Sequence, residues 1–318
     1  MGLIADLATQ GAQMMLVLLL APALVGLVRK VKAFLLRRQG PPISQVYRDI
    51  FRLLRKDVVL AKNASWLFRV APYMIFATTW VATALVPTFA GGLMFSWSAD
   101  LIAIIALLGA ARFFLALAGL DVGTSFGGVG SSREVMIATL AEPAMIMIVF
   151  TLALLAGSTQ LSAVSEFMAS SDVGLRVSLA LALFGLIIVA LAENARVPVD
   201  NPATHLELTM VHEAMVLEYS GRHLAVIELA AALKLLLYIS LIACIFAPWG
   251  IAPPEAPIGV YALGMTLYLV KILFAGVLLA VFETSMAKMR VFRVSEFLGV
   301  ALMLGLLGAL LRFVSGSL

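Results

Sequence analysis

The sequence predicts an all-α integral membrane protein, built as a bundle of about eight transmembrane helices. Of its 318 residues, 63% are hydrophobic and 13% are charged, whereas soluble domains contain about half apolar and a quarter charged residues. Apolar runs long enough to cross roughly 30 Å of hydrocarbon recur along the whole chain. Composition and the length of these runs therefore indicate a multi-pass membrane protein.

We expect eight spans, at residues 12–34, 69–87, 99–118, 134–156, 176–193, 223–247, 260–283 and 295–313. No glycine- or proline-rich linker divides the chain, so residues 1–318 are predicted to form a single membrane domain. The first span follows Asp6 and has no A-x-A-like cleavage site, which predicts a retained helix and not a signal peptide.

The distribution of lysine and arginine predicts the orientation of the bundle. Eleven of these residues lie within 29–69 alone. The basic connecting segments are residues 35–68, 119–133, 194–222 and 284–294, whereas lysine and arginine are absent from residues 1–11, 88–98 and 248–259. The positive-inside rule therefore places the basic loops in the cytoplasm and both termini on the outer, periplasmic side. The pI of 9.3 then reflects membrane topology and not nucleic-acid binding.

The chain offers few groups for redox or metal chemistry of its own. Its one cysteine, Cys244, lies in an apolar span, which excludes an internal disulfide and any all-cysteine metal or iron–sulfur site in this chain. His212-Glu213 resembles the start of a zinc-protease helix, but Val216 stands where the second histidine would be. We therefore predict no catalytic residue, no metal site and no cofactor in this chain.

Two further segments differ from the apolar spans. Residues 44–56 place apolar residues on one side and basic residues elsewhere, which predicts a short amphipathic helix at the membrane interface or against a partner. Residues 119–133 contain five glycines and are expected to form an irregular, flexible cytoplasmic loop that approaches another surface closely. They lack the lysine and the Ser or Thr of a P-loop and follow no strand, so nucleotide binding is not expected.

The segment 193–222 concentrates ionisable groups between two apolar spans. It contains five acids and two of the three histidines, namely Glu193, Asp200, Glu207, Glu213, Glu218, His205 and His212. Asn201-Pro202 predicts a helix start, and on that helix Glu207 and Glu218 share one face while the two histidines lie nearly opposite. One straight helix cannot present all these groups to a single metal ion. A solvated face explains part of the clustering, and proton handling or contact with a charged partner is the sharper hypothesis.

Charged residues also occur in and beside the predicted spans. Arg112, Glu142, Lys234 and Lys271 lie inside them, the two lysines near helix midpoints, and Asp121, Glu193, Glu228 and Glu283 lie near cytoplasmic ends. A charge at mid-helix costs roughly 2.5–3.5 kcal/mol on insertion scales, so these side chains should face the bundle interior or a hydrated cavity. They serve either as buried pairs that fix helix packing or as a proton relay, which desolvation of Glu and Lys would favour.

Several motifs resemble a known family. ENARVPVD at 193–200 and LEYSG at 217–221 resemble the cytoplasmic-loop signature of the complex I subunit 1 family, and YRDIFRLLRK after RRQGPP resembles its first loop. More narrowly, ARFFLALAGLDVGTSFGGVGSSRE at 111–134 and NPATHLELTMVHEAMVLEYSG at 201–221 are similar to membrane subunits of formate hydrogenlyase, hydrogenase-4 and related group 4 energy-converting NiFe hydrogenases. The resemblance covers essentially the whole chain.

The resemblance implies a component of the bacterial or archaeal inner (cytoplasmic) membrane that joins a membrane arm to a peripheral redox arm. Such a component couples electron transfer to the movement of protons or sodium ions. Iron–sulfur clusters and a NiFe centre would then belong to partners: the hydrogenase large and small subunits and an iron–sulfur subunit. Antiporter-like membrane subunits and membrane lipid would be the neighbours within the bilayer.

The resemblance and the buried charges together assign two sets of residues. The relay or coupling set comprises Glu142, Glu193, Asp200, Glu207, Glu213, Glu218, Lys234, Lys271 and Glu283. The partner-contact set, in the family's connecting loops at 35–69, 119–142 and 193–222, comprises Arg37, Arg38, Arg48, Asp49, Asp121, Arg133, Glu134, Arg196, His205 and His212.

Two other functions stay open. The first is the quinone-binding subunit of a complex I-type NADH dehydrogenase, although VPVDNPATHLEL has His205 where complex I has an acid, which favours the hydrogenase-like branch. The second, from another class, is a secondary transporter. The lack of a visible internal repeat and of paired broken helices argues against it.

Overall fold

The chain folds into a helical bundle, seen here in a computed structural model that describes residues 3–170, 176–196, 199, 211–254, 256–287 and 293–316. Its helices within these residues are α1 (Leu3–Leu35), α2 (Gln45–Leu54), α3 (Trp66–Leu85), α4 (Leu101–Asp121), α5 (Ser125–Ala156), α6 (Leu161–Ala169), α7 (Val177–Glu193), α8 (His212–Val216), α9 (Gly221–Phe246), α10 (Ile258–Ser285) and α11 (Val294–Gly316). The predicted all-helical class is confirmed.

Each of the eight predicted spans coincides with one long helix. Six of these helices, among the described residues, are long and apolar enough to cross a membrane: α1, α4, α5, α9, α10 and α11. The apolar helix α7 has only 17 residues, which is about 25 Å and shorter than the hydrocarbon core. Helix α3 has 20 residues but includes three threonines, Thr78, Thr79 and Thr83.

The connecting segments gather at two opposite ends of the bundle. At one end, Asp121 accepts the backbone N–H of Ser65 at 2.8 Å, and the hydroxyl of Ser220 exchanges hydrogen bonds with the backbone of Val59. We call this the basic end, because it contains the lysine- and arginine-rich loops. At the other end, the backbone N–H of Gly91 donates to the carbonyl of Ala252 at 2.8 Å.

Small residues allow the helices of the core to approach closely. Helix α11 packs against α5 and α7, and a Cβ placed on Gly305 would lie 3.1 Å from the Cβ of Met147. The Thr151 hydroxyl donates to the carbonyl of Gly305 at 2.9 Å, which ties the two helices together. Close backbone approach and interhelical hydrogen bonds are typical of helix packing in a membrane.

The glycine-rich segment 119–133 is helical except at residues 122–124, so its predicted irregular conformation is wrong. Helix α4 runs to Asp121, and α5 begins at Ser125 with Thr124 as its N-cap, whose hydroxyl accepts the N–H of Gly127 at 3.2 Å. The glycines serve close packing within this chain, since a Cβ on Gly130 would lie 2.9 Å from Met215 in α8. Packing against neighbouring helices thus overrides the low helix propensity of glycine.

The predicted amphipathic helix is present as α2. Val46 and Ile50 are buried, and α2 packs against α9 and α1 of the same chain. Phe51 remains 62% exposed, so the helix also presents an apolar side chain outwards. The helix predicted to start at Asn201-Pro202 lies outside the described residues.

Candidate functional site

A buried arginine organises the charged residues of the bundle interior. Arg112, in the middle of α4, has a side chain only 5% exposed. Its guanidinium lies 3.4 Å from the carboxylate of Glu134, 3.4 Å from that of Glu142, and also in contact with Glu193. Two carboxylates come from α5 and one from the last residue of α7. Because a buried charge is costly unless it is paired, these four residues fix each other's positions.

Lys234 extends this group to α9. Its ammonium lies 2.9 Å from Glu193, whose side chain is 3% exposed. Glu193 therefore contacts Arg112 with one carboxylate oxygen and Lys234 with the other. We call these five residues the Arg112 cluster: Arg112, Glu134, Glu142, Glu193 and Lys234. The cluster joins α4, α5, α7 and α9.

A second ion-pair group surrounds Glu283 of α10. The carboxylate, which is 1% exposed, lies 2.6 Å from the ammonium of Lys32 in α1 and 3.3 Å from the guanidinium of Arg196. Both cations are partly exposed, at 30% for Lys32 and 22% for Arg196. The Glu283 cluster thus has its acid inside and its bases towards the surface.

Small cavities adjoin and connect the two clusters. A cavity of about 130 Å³ is lined by Glu193 and Lys234 from the first cluster and by Arg196 from the second. Arg29, His212 and Glu228 also line it, together with apolar residues. Two smaller cavities adjoin the first cluster, one beside Glu142 and Tyr238 and one beside Glu134 and His212. A cavity with polar walls can hold bridging water, and this one is lined by polar groups of both clusters.

Lys271 lies apart from both clusters. Its ammonium donates to the carbonyl of Ala247, the residue after α9, at 2.6 Å, and also to that of Trp249. It lies 4.4 Å from the centre of the Trp249 ring. Lys271 therefore satisfies the carbonyl groups that end α9, towards the end of the bundle opposite α2 and α8. Lys271 lies near the midpoint of its own helix α10, as predicted, and its ammonium reaches the end of the neighbouring helix α9.

The other predicted relay residues are only partly described. Asp200 and Glu207 lie outside the described residues, as does His205 of the partner-contact set. The short helix α8 begins with His212 of the partner-contact set and Glu213, and Glu218 follows this helix; all three residues are partly buried. The structure brings Glu142, Glu193 and Lys234 together, places Glu283 in the neighbouring cluster, and separates Lys271 from them.

The predicted partner-contact residues divide into surface and interior groups. Arg37, Arg38 and Arg48 are exposed, and Asp49, which is partly exposed, pairs with Arg52 at 3.2 Å. Arg133 is partly buried. Three residues bind other residues of this chain instead: Glu134 belongs to the Arg112 cluster, Arg196 pairs with Glu283, and Asp121 accepts a hydrogen bond from Ser65. For Glu134, which is 7% exposed, the predicted surface position is wrong.

The LEYSG motif organises the start of α9. Tyr219 stacks on Phe68, with ring centres 3.9 Å apart, and its hydroxyl donates to the Phe68 carbonyl at 3.1 Å. Burial raises the pKa of the Tyr219 phenol, so it stays a neutral donor. Gly221 adopts a φ of 55°, and a Cβ there would clash with the carbonyl of Lys56 at 2.8 Å. The motif thus holds the loop before α3 against α9.

With the two clusters and the motif positions established, comparisons identify the family. A family model described as NADH dehydrogenase matches residues 9–313. The chain belongs to the NADH dehydrogenase (complex I subunit 1) family. The resemblance predicted from the sequence motifs is therefore confirmed.

Relatives within the family include hydrogenase components. The chain is 33% identical over 279 residues to formate hydrogenlyase subunit 4 of Escherichia coli (strain K12), covering 87% of this chain and 89% of the relative. It is also 33% identical over 279 residues to hydrogenase-4 component C of the same organism, covering 88% and 87%. NADH-ubiquinone oxidoreductase chain 1 of Triticum aestivum is 27% identical over 241 residues, covering 72% and 73%.

A solved structure shares the fold. A chain of the membrane-bound sulfane sulfur reductase, described as an archaeal respiratory membrane complex, superposes with a TM-score of 0.82 over 97% of this chain and 99% of that chain. The sequence identity is 18%, so this similarity shows the fold alone.

Two cations of the site were missing from the predicted site residues. The sequence shows Arg112 as a charge inside a span, but nothing in its position shows that three carboxylates converge on it. Lys32 is one of the basic residues that set the topology, and nothing in the sequence distinguishes it from the others. An arginine in the middle of an apolar span is the signal that points to Arg112, since such a charge requires buried partners. No comparable signal marks Lys32, which lies in the last turn of α1.

Proposed function

We propose that this chain is the membrane-anchor and ion-translocation coupling subunit of a formate hydrogenlyase-like or group 4 NiFe hydrogenase complex. The two relatives at 33% identity, formate hydrogenlyase subunit 4 and hydrogenase-4 component C, support this branch of the family. Electrons would pass through iron–sulfur clusters and a NiFe centre in partner subunits. This chain would change protonation state in response and would transmit that change across the membrane arm.

The observation that carries the proposal is the charge balance of the Arg112 cluster. Three carboxyl groups, on Glu134, Glu142 and Glu193, face two cations, Arg112 and Lys234. The five groups are electrically neutral when one of the three carboxyls carries a proton. The two buried acids, Glu134 and Glu193, already balance the two cations, so the packing of the cluster does not need Glu142, whose side chain is 45% exposed. This additional, accessible carboxyl supports a role in holding and releasing a proton.

The position of Glu142 supports the same role. Its side chain is 45% exposed within the chain, whereas Glu134 and Glu193 are 9% and 3% exposed. Glu142 is thus the member of the cluster that water or a neighbouring subunit can reach. Proton exchange would enter or leave the cluster there, and the cavity beside Lys234 would connect it to the Glu283 cluster.

The proposed membrane topology is based on the position of the basic loops. All eight long helices would span the bacterial or archaeal cytoplasmic membrane, with both termini outside and the basic end in the cytoplasm. The exposed cations Arg37, Arg38 and Arg48 would then face the peripheral arm with its hydrogenase large and small subunits and its iron–sulfur subunit. Antiporter-like subunits would adjoin the bundle within the membrane.

The test uses the intact complex purified from native membranes and reconstituted into proteoliposomes. Glu142→Gln keeps the shape of the side chain but removes its ionisable group. We expect electron transfer to continue while the ratio of translocated ions to electrons falls, because glutamine at position 142 can neither take up nor release a proton. Glu166→Gln is the matched control, because Glu166 is an exposed acid of α6, remote from the Arg112 cluster.

Two results would contradict the proposal. An unchanged ratio of translocated ions to electrons in Glu142→Gln would show that Glu142 is not part of a proton relay. If the purified complex contains an NADH-oxidising module and no hydrogenase large subunit, the chain belongs to the complex I branch of the family and not to the hydrogenase branch.

The quinone-binding alternative receives support from the 27% identical NADH-ubiquinone oxidoreductase chain 1. The cavity that the described residues line beside the Arg112 cluster fits a quinone poorly. It has about 130 Å³, below the roughly 300–1,000 Å³ of most ligand pockets, and charged side chains form much of its wall. Inhibition of the reconstituted complex by quinone analogues would favour this alternative.

A further inference from the structure

An apolar groove runs along the surface between α7, α9 and α10. It has a volume of about 510 Å³, and aliphatic or aromatic side chains form nearly all of its walls. Representative lining residues are Leu191 in α7, Ile239 in α9, and Ala275 and Phe282 in α10. Its volume lies in the range of sites that enclose a small ligand, roughly 300–1,000 Å³.

The groove has one polar end. Asn194 and Arg196, which follow α7, and Ser285, which ends α10, line it at the basic end of the bundle. Along α10 the lining extends from Ala275 to Ser285. Ten residues of helix rise by about 15 Å, which is half of the roughly 30 Å hydrocarbon core. The groove therefore matches the depth of one membrane leaflet, with its polar end at the level of the headgroups.

The polar end carries accessible positive charge. Arg196 pairs with Glu283, whose side chain is 1% exposed and which also pairs with Lys32. The carboxylate lies behind its two cations, which are 22% and 30% exposed. Arg29, which is exposed, lines the adjoining cavity together with Arg196. Two cations, Lys32 and Arg196, thus flank the single buried acid Glu283, so this ion-pair group carries a net positive charge and an approaching ligand meets its cations first.

We propose that this groove binds one phospholipid with an anionic headgroup, its acyl chain along Ile239 and Ala275 and its headgroup at Arg196. Basic pockets between transmembrane helices at the cytoplasmic side bind anionic lipid headgroups. A quinone or a neutral lipid would fill the apolar part but would leave the net positive charge of Lys32, Arg196 and Glu283 uncompensated. A transmembrane helix of another subunit would likewise need an acid at this depth.

The test is photocrosslinking in the intact complex, reconstituted into nanodiscs. One probe is phosphatidylglycerol with a diazirine in its acyl chain, and the comparison probe is phosphatidylcholine with the same chain. Mass spectrometry locates the labelled residues. We expect phosphatidylglycerol to label groove residues of α9 and α10 at least about five-fold more than phosphatidylcholine does, five-fold being the contribution of one cation near a membrane surface.

Two pairs of variants sharpen the test. Arg196→Gln should lower labelling by phosphatidylglycerol about five-fold and leave labelling by phosphatidylcholine unchanged, whereas Arg48→Gln, an exposed cation of α2, should change neither. Ala275→Trp fills the groove and should abolish its labelling by both probes. Val277→Trp is the control, because Val277 is 40% exposed on α10 but does not line the groove.

The wild-type comparison decides the proposal even where a variant fails to fold. Equal labelling by the two probes would overturn it, since the groove would then hold bulk lipid without regard to charge. Absence of lipid label in the groove, while the same probes label other lipid-facing residues of the chain, would also overturn it. Neither outcome touches the relay, which is measured separately by ion translocation.

Discussion

Replacing Arg112 by methionine should destabilise the bundle more than replacing any surface arginine. Met keeps much of the side-chain length but removes the charge that Glu134 and Glu193 contact. Glu193 keeps Lys234 at 2.9 Å, whereas Glu134, 9% exposed, loses the guanidinium 3.4 Å away. Removing one member of a buried ion pair costs about 3–5 kcal/mol. We therefore expect the free energy of unfolding to fall by about 3–5 kcal/mol, chiefly through Glu134.

Cys244 provides the readout. It is the only cysteine of the chain and is 3% exposed in α9, so a thiol reagent reports its unfolding. The full-length chain is unfolded reversibly in mixed micelles with increasing dodecyl sulfate, and alkylation of Cys244 is measured at each step. Arg48→Met is the control and should stay within about 0.5 kcal/mol of the wild type, as surface substitutions do.

A second substitution tests the cause. Adding Glu134→Gln to Arg112→Met removes the uncompensated carboxylate, so the double variant should be more stable than Arg112→Met by about 0.5–3 kcal/mol. The reasoning is refuted if Arg112→Met unfolds like the Arg48→Met control, or if Glu134→Gln destabilises it further.

Two more predictions use the same unfolding measurement. Gly130→Ala should destabilise the chain by about 1–3 kcal/mol, because the new Cβ meets Met215 at 2.9 Å. The matched control Gly128→Ala has no atom within 4 Å of its Cβ and should stabilise α5 by about 0.5–1 kcal/mol. Stability changes of the same sign in the two variants would contradict this packing. Tyr219→Phe keeps the ring stack on Phe68 but loses the 3.1 Å hydrogen bond, so it should cost about 0.5–1.5 kcal/mol, and a loss as large as that of Tyr219→Ala would show that the stack itself is broken.

The spans were predictable because the membrane imposes one requirement on every crossing segment. Each crossing segment must be apolar over most of its length, and a run of consecutive apolar residues can be identified directly in the sequence. The amphipathic helix α2 was predictable for a similar reason, since Val46 and Ile50 recur at helical spacing. Both predictions depend on neighbours in the sequence alone.

The features that could not be predicted from the sequence share a different cause. The conformation of residues 119–133 depends on α8, whose Met215 leaves room only for a glycine at position 130. The position of Lys271 depends on where α9 ends, and that of Glu134 depends on Arg112 in another helix. These contacts join residues far apart in the sequence, so neither periodicity nor composition can predict them. The sequence identifies the charged residues of the site, because a charge inside an apolar span costs free energy, but it does not identify the partner of each residue.

The central claim is that a carboxyl group of the Arg112 cluster changes protonation when the complex transfers electrons. Infrared difference spectroscopy of the reconstituted complex, in its reduced and oxidised states, measures this directly in the absorption of protonated carboxyl groups. The account predicts a carboxyl band that changes with the redox state, disappears in Glu142→Gln and persists in Glu166→Gln. Identical difference spectra for the wild type and Glu142→Gln, together with unchanged ion translocation, would show that the Arg112 cluster holds helices together and carries no proton.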